Sequence, residues 1–167
     1  MWFIWLWLTT HASVIDRVEV VIEEQLVMTS DIRLERALEA YDGDHLPIFT
    51  GDWGDPKSRL IDAAVIREAA GKLELYQPTP AQVQTRLASL RSSFQRRTDW
   101  EAFLQQHGLR QDSIHAVLSR RLIVEAYLRR NIAVDVSQTA QWTSTAKTHV
   151  DRLRARTRIR QVQASTP

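Results

Sequence analysis

From Val14 the chain alternates with period two. Val14, Asp16, Val18, Val20 and Ile22 fall on one side, and Ile15, Arg17, Glu19 and Val21 on the other. That alternation, rich in β-branched residues, predicts a strand with one mostly apolar face. Glu23-Glu24-Gln25 then predicts a turn and Leu26-Val27-Met28 the returning strand. The turn has neither Gly nor Asn, so its position is legible but its type is not. A two-stranded ribbon is marginal alone, so a further strand or a packed helix must complete it.

After Met28 the period becomes helical. Ser30 predicts an N-cap, with Asp31 placing negative charge in the first turn of a helix that runs to about Tyr41. Residues 42–55 form a long irregular loop with the apolar set Leu46, Ile48, Phe49 and Trp53. A loop of this length in a compact domain is often functional. Asp55-Pro56 signals the start of a second helix with Leu60, Ile61, Ala64, Val65 and Ala69 inward, ending near Gly71 to Leu73. Glu74 to Gln77 reads as extended, and Thr79-Pro80 restarts the chain.

Val83, Leu87, Leu90 and Phe94 make a regular amphipathic stripe on a third helix. Thr98 and Glu101 match a capping box for a short fourth helix, with Trp100, Phe103 and Leu104 inward and Gly108 closing it. Helix five spans about Gln111 to Arg130, with Ile114, Val117, Leu118, Leu122, Val124 and Leu128 inward and the Arg120-Arg121 and Arg129-Arg130 pairs mostly outward. Ile132 to Val136 read as extended. Ser137 can cap a sixth helix bearing Trp142, Ala146, Val150 and Leu153 on one face, and Thr157 to Val162 form a short β-like stretch. The fold class is therefore mainly α with a small antiparallel sheet: about six helices, and an N-terminal ribbon completed by a C-terminal strand.

Residues 1–12 are apolar from Trp2 to Leu8, a run far shorter than the ~20 residues of a membrane span. Thr10-His11-Ala12 resembles a small-residue cleavage site, so the segment reads as a signal peptide, although Met1 is followed by Trp2 with no basic residue between; an uncleaved leader could act as an anchor. Residues 13–163 then form one domain and 164–167 a polar tail. The 167 residues suffice for a sizeable core, and a hydrophobic fraction of 44% with 25% charged residues is that of a globular chain. Without Cys, thiol catalysis, disulfides and Cys-ligated metals are excluded. The net charge of +2 conceals an asymmetry: residues 1–80 hold 7 basic and 14 acidic side chains, residues 81–167 hold 15 and 6. Such halves either pack on each other or steer an acidic partner.

The opening VIDRVEVVIEEQLVMTSDI is similar to the start of SurA-like periplasmic chaperones, V-D-x-V-x-x-V-V-N-x-x-V-I-x-x-S-D-I. Asp16, Val18, Val20, Val21, Val27, Ser30 and Asp31 fall on that pattern; Ile22 and Glu23 depart from its Val-Asn pair. LIDAAVIREAAGKLELYQPTPAQVQTRL and DWEAFLQQHGL resemble later segments of the same family, as do Arg120, Arg121 and Leu128 in helix five. The likeness covers roughly residues 14–135, and DRLRARTRIRQVQ resembles the family's closing segment. It implies an ATP-independent periplasmic module that binds unfolded or extended polypeptides, possible outer-membrane protein precursors among them. The family's parvulin prolyl isomerase domain has no counterpart in the 32 residues after Asp135, so no isomerase activity is expected.

An apolar groove suits such binding, and the candidate lining residues are Leu46, Ile48, Phe49, Trp53 and Tyr76, each of which ordinary packing would also explain. Other classes compete less well. The five His do not fall at a metal-ligand spacing, and Asp42, Asp44, Asp52 and Asp55 do not match a calcium loop. GxSxG, P-loop and GxGxxG motifs are absent, so no catalytic residue, metal or cofactor is expected. The Arg-rich second half suits phosphate contacts, yet no nucleic-acid motif accompanies it, and no nucleic acid is expected as a partner. A structural subunit with one fixed protein partner is the alternative to a chaperone.

Overall fold

The computed structural model describes residues 16–41, 43 and 46–162. The expectations for the leader, for Val14 and Ile15, for Asp42, Asp44 and His45, and for the tail at 164–167 lie outside the described residues. Among the described residues the elements run β1 (Val18–Ile22), β2 (Gln25–Met28), α1 (Thr29–Glu39), α2 (Pro56–Ala70), α3 (Pro80–Ser92), α4 (Arg97–Gln106), α5 (Gln111–Asn131), α6 (Thr139–Arg154) and β3 (Ile159–Gln161). The architecture is mainly helical with a small antiparallel sheet.

The sheet order is β2-β1-β3, so the last strand does return to the ribbon. Val20 faces Val27 on one neighbour and Gln161 on the other, and Ile22 faces Gln25 and Ile159. The turn is shorter than the sequence suggests: Glu23 and Glu24 make it, and Gln25 already belongs to β2. Glu23 sits at a φ of 48°, the left-handed conformation that a tight hairpin needs. β3 holds it there, since Glu23 N–H donates to the Arg158 carbonyl at 3.0 Å and Arg158 N–H donates to the Glu23 carboxylate at 2.6 Å.

Cap positions show where local patterns mislead. α1 begins at Thr29, two residues before the start that a Ser30 cap implies, because the Asp31 carboxylate reaches back to the Met28 N–H at 2.9 Å. Ser30 is no cap; its own N–H donates to Asp16, which acts as the acceptor from outside the helix. α1 also stops at Glu39, freeing Tyr41 to stack on Phe94. α4 starts at Arg97 and encloses Thr98 in its first turn, with Arg96 gripping Asp99 instead of a Thr98 cap. α6 starts at Thr139, because the Asp135 carboxylate takes the Ser137 N–H at 2.7 Å and delays the helix. Glu74–Tyr76 is a 3-10 turn and not extended, and α3 ends at Ser92 with Phe94 just beyond it. The Asp55 and Thr79 caps stand as expected: Asp55 accepts from the Lys57 and Ser58 amides, and Thr79 exchanges bonds with Gln82.

α2 is the hub. One face meets Val20, Ile22 and Val27 of the sheet. A second meets Trp53, Val124, Leu128, Trp142 and Val150 of the loop, α5 and α6. The aromatic cluster of Trp100 and Phe103 packs separately, with Leu34 and Leu38 of α1, Leu87 and Leu90 of α3, and Ile114 and Leu118 of α5. With so many neighbours α2 buries nearly its whole girth, including Ala63 and Ile66, while Ala69, expected inward, is exposed.

Candidate functional site

The loop residues singled out as a binding surface are core. Leu46, Ile48, Phe49 and Trp53 are 1%, 0%, 2% and 6% exposed. A short 3-10 turn at Pro47–Phe49 folds the loop inward onto α2, α5 and α6, and the Trp53 indole N–H donates to buried Asp62 at 2.8 Å. An apolar loop of this length lowers its free energy by joining the core, which leaves those four side chains almost wholly buried. Tyr76 is half-buried; its hydroxyl accepts from Asn131 at 3.3 Å and its ring lies 5.2 Å from that of Tyr127. Of the five candidates, Trp53 lines a depression beside Lys147 and Arg154, and Phe49 reaches the wall of another opening.

The opening at Phe49 lies where β2, α1, α2 and α5 converge. Its cavity holds about 50 Å³ and its apolar wall comes from Leu26, Val27, Leu34, Leu38, Leu60 and Val117. A second depression of about 310 Å³ shares Asp31, Leu34, Val117 and Arg120 with the first and continues past Ser113 to His107 and Leu109. The two therefore adjoin along the seam between α1 and α5. Helical geometry sets the lining: residues three and four apart share a face, which places Asp31, Leu34 and Leu38 together on α1, Leu60, Ala63 and Arg67 on α2, and Val117, Arg120 and Arg121 on α5.

The base of the opening is a charge lock. Glu35, 4% exposed, lies 2.7 Å from Arg121 and 3.5 Å from Arg59, and Arg59 also reaches Glu39 at 2.8 Å. Arg121 lies over the Phe49 ring, 4.5 Å from its centroid. The expectation that Arg121 points outward is thus corrected. A signal for it was present: Leu118, Arg121, Glu125 and Leu128 recur at helical spacing, so Arg121 lies on the core face. Glu125 there pairs with buried Arg86 of α3 at 2.9 Å.

At the rim stand two further guanidinium groups. Arg67 is half-buried and donates to the Gln25 side-chain carbonyl at 2.5 Å; Arg120 is exposed and donates to the Ala116 carbonyl at 3.3 Å. Among the described residues neither pairs with a carboxylate. Burial, and then the positive charge of Arg120, push the Arg67 pKa down to about 10, against a smaller pull upward from Asp31.

Elsewhere the oppositely charged halves do pack on each other. Glu35–Arg121, Asp62–Arg154 at 2.6 Å and Glu23–Arg158 at 3.2 Å all cross between them. Burial raises the Asp62 pKa, with the Trp53 indole and Arg154 opposing. Among the described residues no three His, Asp or Glu side chains gather in a geometry that would hold a metal ion, and no helix is long and apolar enough to cross a membrane. Asp55 of the acidic loop set serves as the α2 cap. No protein-family model matches the chain, and no curated protein matches it at a significant level.

Proposed function

We propose that this chain is an ATP-independent, chaperone-like module that holds extended segments of unfolded polypeptide in the periplasm, as its SurA-like sequence features imply. The observation that carries the reading is the seam between α1 and α5, where two adjoining depressions offer apolar wall beside polar and charged rim. An extended chain needs both: pockets for alternate side chains, and partners for its backbone amides.

The test is suppression of aggregation. The purified chain is expected to delay aggregation of a urea-diluted outer-membrane protein at equimolar ratio, and Val117→Glu, at the shared wall of the two depressions, is expected to weaken that protection. No delay even at tenfold excess would overturn the reading. Recovery of the chain in the periplasmic fraction, with N-terminal sequencing of the mature form, tests the compartment.

A further inference from the structure

The α1–α5 seam has a polarity of its own. Its apolar wall ends at Arg67 and Arg120, close enough for the charge of one to depress the pKa of the other. Every other charged group lining the opening is engaged: Glu35 with Arg59 and Arg121, and Asp31 with the Met28 N–H. Among the described residues neither Arg67 nor Arg120 has a carboxylate at ion-pair distance, Asp31 acting on Arg67 only through its field, and a ligand carboxylate can complete the pair. Guanidinium pairs carboxylates through two parallel N–H donors, and such charge-assisted bonds are the stronger kind.

We propose that Arg67 and Arg120 bind the C-terminal carboxylate of a peptide whose last, apolar side chain enters the pocket beside Leu26, Leu34 and Leu60. The inference rests on the polypeptide-binding reading above and sharpens it from any extended segment to a chain terminus. Size and surroundings favour a peptide over a free fatty acid. The opening, at about 50 Å³, suits one side chain, and the adjoining depression is partly lined by Ser30, Asp31, Ser113 and His107, polar groups that an acyl tail would leave without partners. Beyond Arg120 the seam carries Ser113 and His107, polar groups suited to backbone amides and carbonyls of the preceding residues.

The experiment uses the full chain and an N-terminally fluorescein-labelled octapeptide ending in phenylalanine, made with a free carboxylate and as the C-terminal amide. Fluorescence anisotropy at low salt is expected to show the acid binding about tenfold tighter than the amide, the difference a charged hydrogen bond makes. Arg120→Gln is expected to bring the acid down to the level of the amide. Arg120 donates only to its own helix's backbone, so this variant should keep the unfolding transition of the parent. Arg67→Gln should act in the same direction, although it also removes the bond to Gln25.

Equal affinity of acid and amide overturns the carboxylate assignment and leaves the groove reading standing. Failure of both peptides to bind, while unfolded protein is still protected from aggregation, also overturns it. Loss of peptide binding and of protection together overturns the proposed function as well. Decanoate binding more tightly than the acid peptide assigns the rim to fatty acids and overturns the peptide proposal.

Discussion

Helices α2 and α4 stand at opposite limits of the same physics. α4 is peripheral and amphipathic: Trp100 and Phe103 face the aromatic cluster, while Arg97 and Glu101 face water and pair with each other. α2 lies between the sheet, α1, α5 and α6 and has almost no water-facing side, so its charged residues Arg59 and Asp62 go into the core with it. A hydrophobic stripe reports that a helix has one wet face, and it loses meaning once a helix is enclosed. Enclosure then demands partners, which come from far along the chain: Glu35 and Glu39 for Arg59, Trp53 and Arg154 for Asp62.

The largest expected effect strikes the enclosed side. Glu35→Leu removes the carboxylate shared by two buried guanidinium groups, and leaving buried charge short of its partner costs on the order of 3 kcal/mol or more. Arg59 keeps Glu39, which holds the figure at the lower end of that class. Leu90→Ala, in the α3 face of the aromatic cluster, tests ordinary packing and is expected to cost about 3 kcal/mol by cavity formation. The two differ in what rescues them. Replacing Glu35, Arg59 and Arg121 together by apolar residues should recover most of the loss, whereas no charge change restores Leu90. Urea unfolding of the parent, the two single variants and the triple variant decides it, and a triple variant no more stable than Glu35→Leu would break the distinction.

The same contrast explains what could be read in advance. The ribbon, its C-terminal partner strand and the stripes of α3, α5 and α6 were legible because each has a wet and a dry side. Asp55-Pro56 and Thr79-Pro80 were legible because Pro in the first turn narrows the choice of start. The loop from Leu46 to Trp53 stayed open between groove lining and core, since composition cannot distinguish an apolar loop that binds a ligand from one that folds into its own core; its side chains are buried, with Phe49 and Trp53 each reaching the wall of a depression. Arg67 and Arg120 were missed as a pair because they lie on different helices, and sequence spacing reports only neighbours on the same one.

An intermediate effect comes from the chain's closing strand. Removing residues 157–167 strips β1 of its second neighbour, takes Ile159 from the cluster beneath the sheet and frees Glu23 from Arg158. The expected loss is about 2 kcal/mol, from partial burial of one large aliphatic side chain and a few hydrogen bonds. It should appear as a lower midpoint of the whole cooperative transition, because β1 also rests on Ile61, Ala64 and Val65 of the enclosed α2. A truncated chain with the parent's midpoint would mean that the sheet is stable without its third strand.

The smallest effect is the most exacting, since it sets a local pattern against the observed helix start. Thr98-Asp99-Trp100-Glu101 has the spacing of a capping box, and if Thr98 capped α4, its replacement by Ala would cost about 1 kcal/mol. With α4 beginning at Arg97, Thr98 is an exposed first-turn residue, and Ala is the better helix former there. Thr98→Ala is therefore expected to change stability by less than about 0.5 kcal/mol. Thr79→Ala supplies the scale: Thr79 accepts from the Gln82 N–H at 3.3 Å at the start of α3, and its loss is expected to cost about 1 kcal/mol. Equal losses at the two positions in urea unfolding would move the start of α4 to Asp99. A loss at Thr79 alone would mean that the Arg96–Asp99 pair, and not the threonine, fixes where the peripheral helix begins.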